Sequence, residues 1–157
     1  MRTTMPYTIT RLWLVAIAAA AVVGCTVLGP TTSDVPAEMI FCADEINRYR
    51  TGAGLTALER SPALEAWATE SARVDAAANQ PHAHFTATNG GGVALAETEL
   101  LAWRSDNVHA IVRQGLQFMW DEGPDGEHRV ILVGPYTAVG CGAYVAGGLV
   151  TVVQSFR

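Results

Sequence analysis

The chain has 157 residues, half of them apolar, with fifteen acidic side chains against ten basic ones and a net charge of −5. That length suits one domain with a real core. The acidic balance, with no basic stripe interleaved by aromatics, argues against a nucleic-acid partner. All ten basic residues are arginine, and no acidic residue precedes Asp34.

The first segment reads as an address rather than as part of the fold. Arg2 and Arg11 make a positive start, and Leu12 to Val23 is an apolar run rich in Ala and Val. The run is too short to span a bilayer comfortably and suits the apolar centre of a signal peptide, expected over residues 1–24. It ends in Val22-Val23-Gly24-Cys25, an arrangement that resembles the bacterial lipobox, in which the cysteine is acylated and becomes the mature N-terminus. The alternative is an ordinary secretory peptide cut nearby, with Cys25 a free or paired thiol. Thr26 to Pro36 is rich in Thr, Pro, Ser and Gly and has no apolar period. Residues 25–36 are therefore expected to form a lipidated cysteine and a flexible tether.

The folded part follows over 37–157. Met39, Ile40, Ala43, Ile46 and Tyr49 recur at helical spacing, which predicts a helix from about Ala37 to Thr51, ended by Gly52 and Gly54. Ser61 as cap and Pro62 in the first turn predict a second helix from Pro62 to Ala78. A third starts after Ser105 or Asp106 and ends near Asp121, on the stripe Val108, Ile111, Val112, Leu116 and Met119. Between the second and third, Val93 to Leu95 fits a short strand and Asn89 to Gly92 a turn. Thr137 to Val145 and Leu149 to Phe156 read as strands joined by a hairpin at Ala146-Gly147-Gly148. Within the first of them, Gly140 and Gly142 allow close backbone approach. Helices first and a closing hairpin last predict an α+β domain, an antiparallel sheet covered by helices.

Two cysteines remain besides Cys25. Cys42 and Cys141 form the one intramolecular pair available in an oxidising compartment. The alternative is two small buried hydrophobes.

Chemistry would sit in the polar, non-helical middle. His82 and His84 form an H-x-H, and on an extended segment residues two apart face one side. Glu97 follows an apolar run, where a partly buried carboxylate would need a partner. Glu122 ends the third helix, where an acid opposes the helix dipole, and His128 follows across a Gly-Pro-Asp-Gly segment. Two imidazoles and two carboxylates make a sensible set for a divalent metal, zinc among them, or for general acid–base work. The plainer reading is a solvated H-x-H and an exposed helix-end charge. No G-x-S-x-G, H-E-x-x-H, phosphate-binding loop or C-x-x-C occurs, and Cys141, flanked by glycines, looks structural.

Several blocks, in order, resemble the CAP superfamily of cysteine-rich secretory proteins, antigen 5 and plant pathogenesis-related proteins, whose domain is also called SCP. Ile46-Asn47-Arg48-Tyr49-Arg50, Gly54-Leu55, Leu58 and Ser61-Pro62-Ala63-Leu64 resemble its opening pair of helices. Met119-Trp120-Asp121-Glu122-Gly123-Pro124, His128 and Tyr136-Thr137-Ala138-Val139-Gly140-Cys141-Gly142 resemble its late block. Val150 to Phe156 resembles the last strand of bacterial members. The resemblance covers about Phe41 to Phe156 and implies an α–β–α sandwich with a cleft of two His and two Glu. It carries onto His84 (with His82 in reserve), Glu97, Glu122 and His128, with metal on His84 and His128. Glu97 lies in Ala96-Glu97-Thr98, where the family has Gly-Glu-Asn, and the Asn-Gly-Gly-Gly insertion shifts the register around it.

The expected function is a non-enzymatic, extracytoplasmic binding module, monomeric and anchored to a membrane, taking a divalent metal and a lipid or other cell-envelope ligand. The rival is a metal-dependent hydrolase with Glu97 or Glu122 as general base. A third reading is a structural envelope lipoprotein with a vestigial cleft.

Overall fold

The computed structural model describes residues 37–105 and 107–157; the expected signal peptide, Cys25 and tether lie outside the described residues. Helix α1 (Ala37–Gly52) is followed by a two-residue strand β1 (Glu59–Arg60) and helix α2 (Pro62–Ala78). A short helix α3 (Ala83–Thr88) runs into a 3-10 turn at Asn89–Gly92, and strand β2 (Ala96–Arg104) follows. Helices α4 (Val108–Asp121) and α5 (Glu127–Leu132) precede the closing hairpin of β3 (Ala138–Ala146) and β4 (Leu149–Phe156).

Local signals explain the best-defined boundaries. At the start of α2 the Ser61 hydroxyl accepts from the Leu64 amide, and Pro62 supplies a first-turn residue that has no amide to satisfy. Asn107 caps α4 in the same way, accepting from Ala110. Gly147 and Gly148, both at positive φ, turn the β3–β4 hairpin.

The sheet has the order β1-β3-β4-β2, with β1 parallel to β3 and the other pairs antiparallel. Its two faces carry different cores, as the period of β4 dictates. Val150, Val152 and Phe156 face a large cluster with Met39 and Ile46 of α1, Ile111 and Leu116 of α4, and Leu132 of α5. Val153 faces the other way, onto Ala68 and Ala72 of α2. Helices on both faces make this an α–β–α sandwich of the α+β class.

The α2 face is closed by missing side chains. A Cβ added at Gly142 would lie 2.0 Å from the Thr69 amide nitrogen, and one at Gly140 would lie 2.3 Å from that of Glu65. The helix backbone therefore rests directly on β3, as only glycine permits. On the opposite face Cys42 of α1 is bonded to Cys141 of β3, closing a loop of 99 residues. In the chain-entropy account such a crosslink stabilises by about 4–5 kcal/mol. The disulfide fits an exported protein, and no described helix is long and apolar enough to cross a membrane.

Candidate metal centre and its cleft

Strand β2 places the first two groups. Glu97 and Glu99 are two residues apart, opposite Ser155 and Val153 of β4, and so share the sheet face that α2 covers. Both are buried, at 5% and 8% exposure. Asp75, on the last turns of α2, is fully buried. His82 arrives between α2 and α3 in the left-handed region, at φ 56°, an uncommon conformation for a residue with a side chain. Its backbone amide donates to Glu99 Oε2 at 2.8 Å, and its ring Nδ1 lies 2.9 Å from Glu97 Oε1.

Burial and crowding shift these groups together. Burial pushes the Glu99 carboxyl up to about 7, opposed by the His82 amide and reinforced by the charge of Asp75. Asp75 is raised too, chiefly by burial, although the His84 amide donates to its Oδ1 at 2.7 Å. The hydrogen bond to Glu97 raises His82, more than burial lowers it.

One oxygen of each carboxylate is left over. Glu97 Oε2, Glu99 Oε1 and Asp75 Oδ2 are sealed from solvent and have no hydrogen-bond partner. A buried polar atom without a partner costs about 1–3 kcal/mol, more when charged, so a proton or cation is the natural complement. His82, Glu97 and Glu99 each offer a ligand atom within 4.8 Å of the others, and among the described residues theirs is the one such group of three. An imidazole with two carboxylates is a reasonable donor set for a borderline or hard divalent ion. These residues could hold a divalent ion, on a ligand set other than the His84 and His128 expected from the sequence, with the reserve His82 in place of His84.

The other sequence-derived residues are arranged differently. His84 does not share a face with His82, because Ala83 to Thr88 is helical rather than extended. Its ring stacks on Trp67 at 4.4 Å between centroids, and its Nδ1 meets the buried Ser71 hydroxyl at 2.9 Å. Glu122 and His128 do pair, through Glu122 Oε1 and His128 Nδ1. The same carboxylate accepts from the His128 backbone amide at 3.0 Å. Glu122 is thus badly placed for the end of α4 and well placed for the start of α5, whose first-turn amides favour an anion. Burial disfavours its charge, but the hydrogen bonds from the His128 ring and backbone outweigh this and hold the carboxyl below its ordinary value.

The structure therefore brings His82 to Glu97 and Glu122 to His128, as two pairs. A cavity of about 330 Å³ lies between their elements, lined by His82, Phe85, Ala96 and Glu97 on one side and by Glu127 and Ile131 of α5 on the other. The sequence reading passed over Glu99 and Asp75. The signal for Glu99 was the alternation Glu97-Thr98-Glu99, which puts both acids on one face of a strand. Asp75 carried no such signal, since an acid on a helix ordinarily faces water.

The fold and this cleft define a CAP-type α–β–α domain. The family model for the cysteine-rich secretory protein (CAP) family matches residues 43–156, and the chain belongs to that family. Its structure is similar to that of a cysteine-rich secretory protein from Staphylococcus aureus, with a TM-score of 0.51 and 15% identity over 78% of this chain. The match spans only 39% of the staphylococcal chain. An outer surface protein of Borrelia burgdorferi is similar with a TM-score of 0.55 and 19% identity, over 78% of this chain and 93% of that one. At these identities the likeness concerns the fold. Sequence comparison with curated proteins returns no match.

Proposed function

We propose that this CAP domain is an extracytoplasmic binding module, held at a membrane through an acylated Cys25, whose two buried carboxylates and half-buried imidazole take a divalent cation. The observation that carries the cation is the set of sealed, unpartnered oxygens on Glu97 and Glu99 beside His82. Cation binding would complete them and offset the cost of crowding carboxylates in a low-dielectric site. The anchor rests on the lipobox-like Val22 to Cys25, and the disulfide supports export. The cleft between His82 and α5 suits a small ligand beside the ion, a lipid or another envelope component.

A hydrolase reading needs an ion shared by His84 and His128. It draws less support, because the His84 ring is committed to Trp67 and Ser71.

Calorimetric titration of the full chain, stripped with chelator, with Zn²⁺ and Mn²⁺ tests the cation. One site is expected, lost in His82→Ala and Glu97→Gln and kept in His128→Ala. Retention in the first two variants, or no binding at all, removes the proposal. For the anchor, the mature N-terminus is expected at Cys25, and Cys25→Ser should leave the protein unprocessed or free of membranes. A wild-type N-terminus elsewhere ends that part alone.

A further inference from the structure

A second cleft, of about 670 Å³, lies between the loop after α1 and the segment after α5, and it shares no lining residue with the His82 cavity. Its apolar walls include Leu55, Val133, Pro135 and Tyr136, and it contains two charged residues, Arg50 and Glu59. That size falls within the range of small-molecule sites, which combine apolar walls with a few placed polar groups.

Arg50 is the unusual member. It is 97% buried, being 3% exposed, yet among the described residues no carboxylate lies within 4.0 Å of it. Its Nε donates to the Thr56 carbonyl at 3.2 Å, and its Nη1 donates to those of Leu132 and Gly134 at 2.8 and 3.0 Å. These bonds fix the plane of the guanidinium and tie α1 to the end of α5. They leave Nη2 with no acceptor among the described residues, and Nη2 is not one of the sealed, unpartnered atoms. A buried cation held only by carbonyl dipoles, with the two N–H groups of Nη2 unused at a cleft, lacks an anion.

We propose that this cleft binds a small monoanion, a carboxylate on an apolar body, through the free Nη2 of the Arg50 guanidinium. The carbonyls that clamp Arg50 pre-orient the fork, so little side-chain entropy is lost when it takes a carboxylate. Leu55, Val133 and Tyr136 receive the apolar body. Glu59, which is exposed and makes no ion pair among the described residues, sets the charge limit. With one cation and one anion in the lining, a monoanion is accepted and a polyanion repelled.

Titration of the full chain with phenylacetate, phenylethanol and phenethylamine, followed by calorimetry and by the NMR signals of Arg50 and Tyr136, tests this. Phenylacetate is expected to bind at least about tenfold more tightly than the alcohol, and the amine not to bind, as a charge-assisted bond requires. Glu59→Gln, which removes an exposed charge without touching the Arg50 clamp, should tighten phenylacetate binding several-fold. Arg50→Met should abolish it. Should that variant fail to fold, the Glu59→Gln series still decides. Equal affinity for acid and alcohol, unmoved Arg50 and Tyr136 signals, or no response to Glu59→Gln would overturn the proposal. None of these outcomes bears on cation binding at His82.

Discussion

Among the described residues, two histidine–carboxylate pairs are built from the same atoms and from imidazoles of like exposure, 35% and 34%, and the surroundings of their carboxylates make them opposites. His82 and Glu97 meet through Nδ1 and Oε1, as do His128 and Glu122. In the first pair the carboxylate side chain is 2% exposed and has Glu99 and Asp75 crowded beside it. In the second, both side chains are 34% exposed. Solvent lets Glu122 and His128 settle as an ordinary hydrogen-bonded pair at the start of α5. Exclusion of solvent turns the His82 group into a surplus of negative charge that favours protons or a metal. Residue identity alone does not separate a structural cap from a ligand set; burial and unpartnered lone pairs do.

The contrast predicts opposite pH limbs. Glu99 has a folded value of about 7 against an ordinary 4.5, so its contribution is full below about pH 4.5 and is lost as pH rises through 7. That gap corresponds to about 3 kcal/mol. His82, also raised, acts in the same direction. The chelated protein should therefore weaken between pH 5 and 8, to judge by denaturant midpoints. Glu99→Gln should be more stable than wild type at pH 8 by up to about 3 kcal/mol and less steep with pH, keeping only the part due to His82. A wild-type protein that gains stability over that range would break the comparison.

A smaller effect concerns the cation. Because its ligands must shed protons, affinity should rise with pH through 7. Glu99→Gln should weaken binding at least tenfold, about 1.4 kcal/mol. Titration at two pH values with both proteins checks this, and a pH-independent affinity would dissociate the site from these carboxylates.

The exposed pair should matter less. Its folded carboxyl value is lowered, so its contribution is present above the ordinary carboxylate range and is lost as pH falls through the folded value. Glu122→Gln should cost under about 1 kcal/mol at neutral pH, in line with exposed ion pairs, and only soften the acid limb of the stability curve. Smallest of all is the effect of His84→Asn on cation affinity, which should be nil, because the ring serves Trp67 and Ser71. A tenfold loss in that variant would return His84 to the ligand set.

Much of this fold was legible because its main elements carry redundant signals. The bounds of α2 follow from Ser61 and Pro62, and the closing hairpin from β-branched runs around two glycines. The six-residue helices α3 and α5 were not legible, since neither is long enough to display a period. Losing α3 had a direct cost: an extended His82–His84 segment would put both rings on one side, whereas the helix turns them to different neighbours. All of β2 was missed as well: the strand expected at Val93 to Leu95 is a turn and bend that stops one residue short of it. Its two faces are both buried over Glu97 to Leu100, so the polar–apolar alternation of a half-solvated strand does not appear. At the candidate metal centre the sequence supplied Glu97 and the reserve histidine. It could not supply Asp75, which joins the group only through the packing of α2.

That packing has a mechanical meaning. Gly140 and Gly142 act as a gauge: by presenting no side chain, they set how deeply α2 sinks onto the sheet, and with it how far Asp75 stands from the carboxylates of β2. A single methyl at Gly142 would work as a shim under the helix. It would loosen an acid cluster two strands away without touching any of its members, so the tuning of the cleft is partly written in a strand that contributes nothing to its lining.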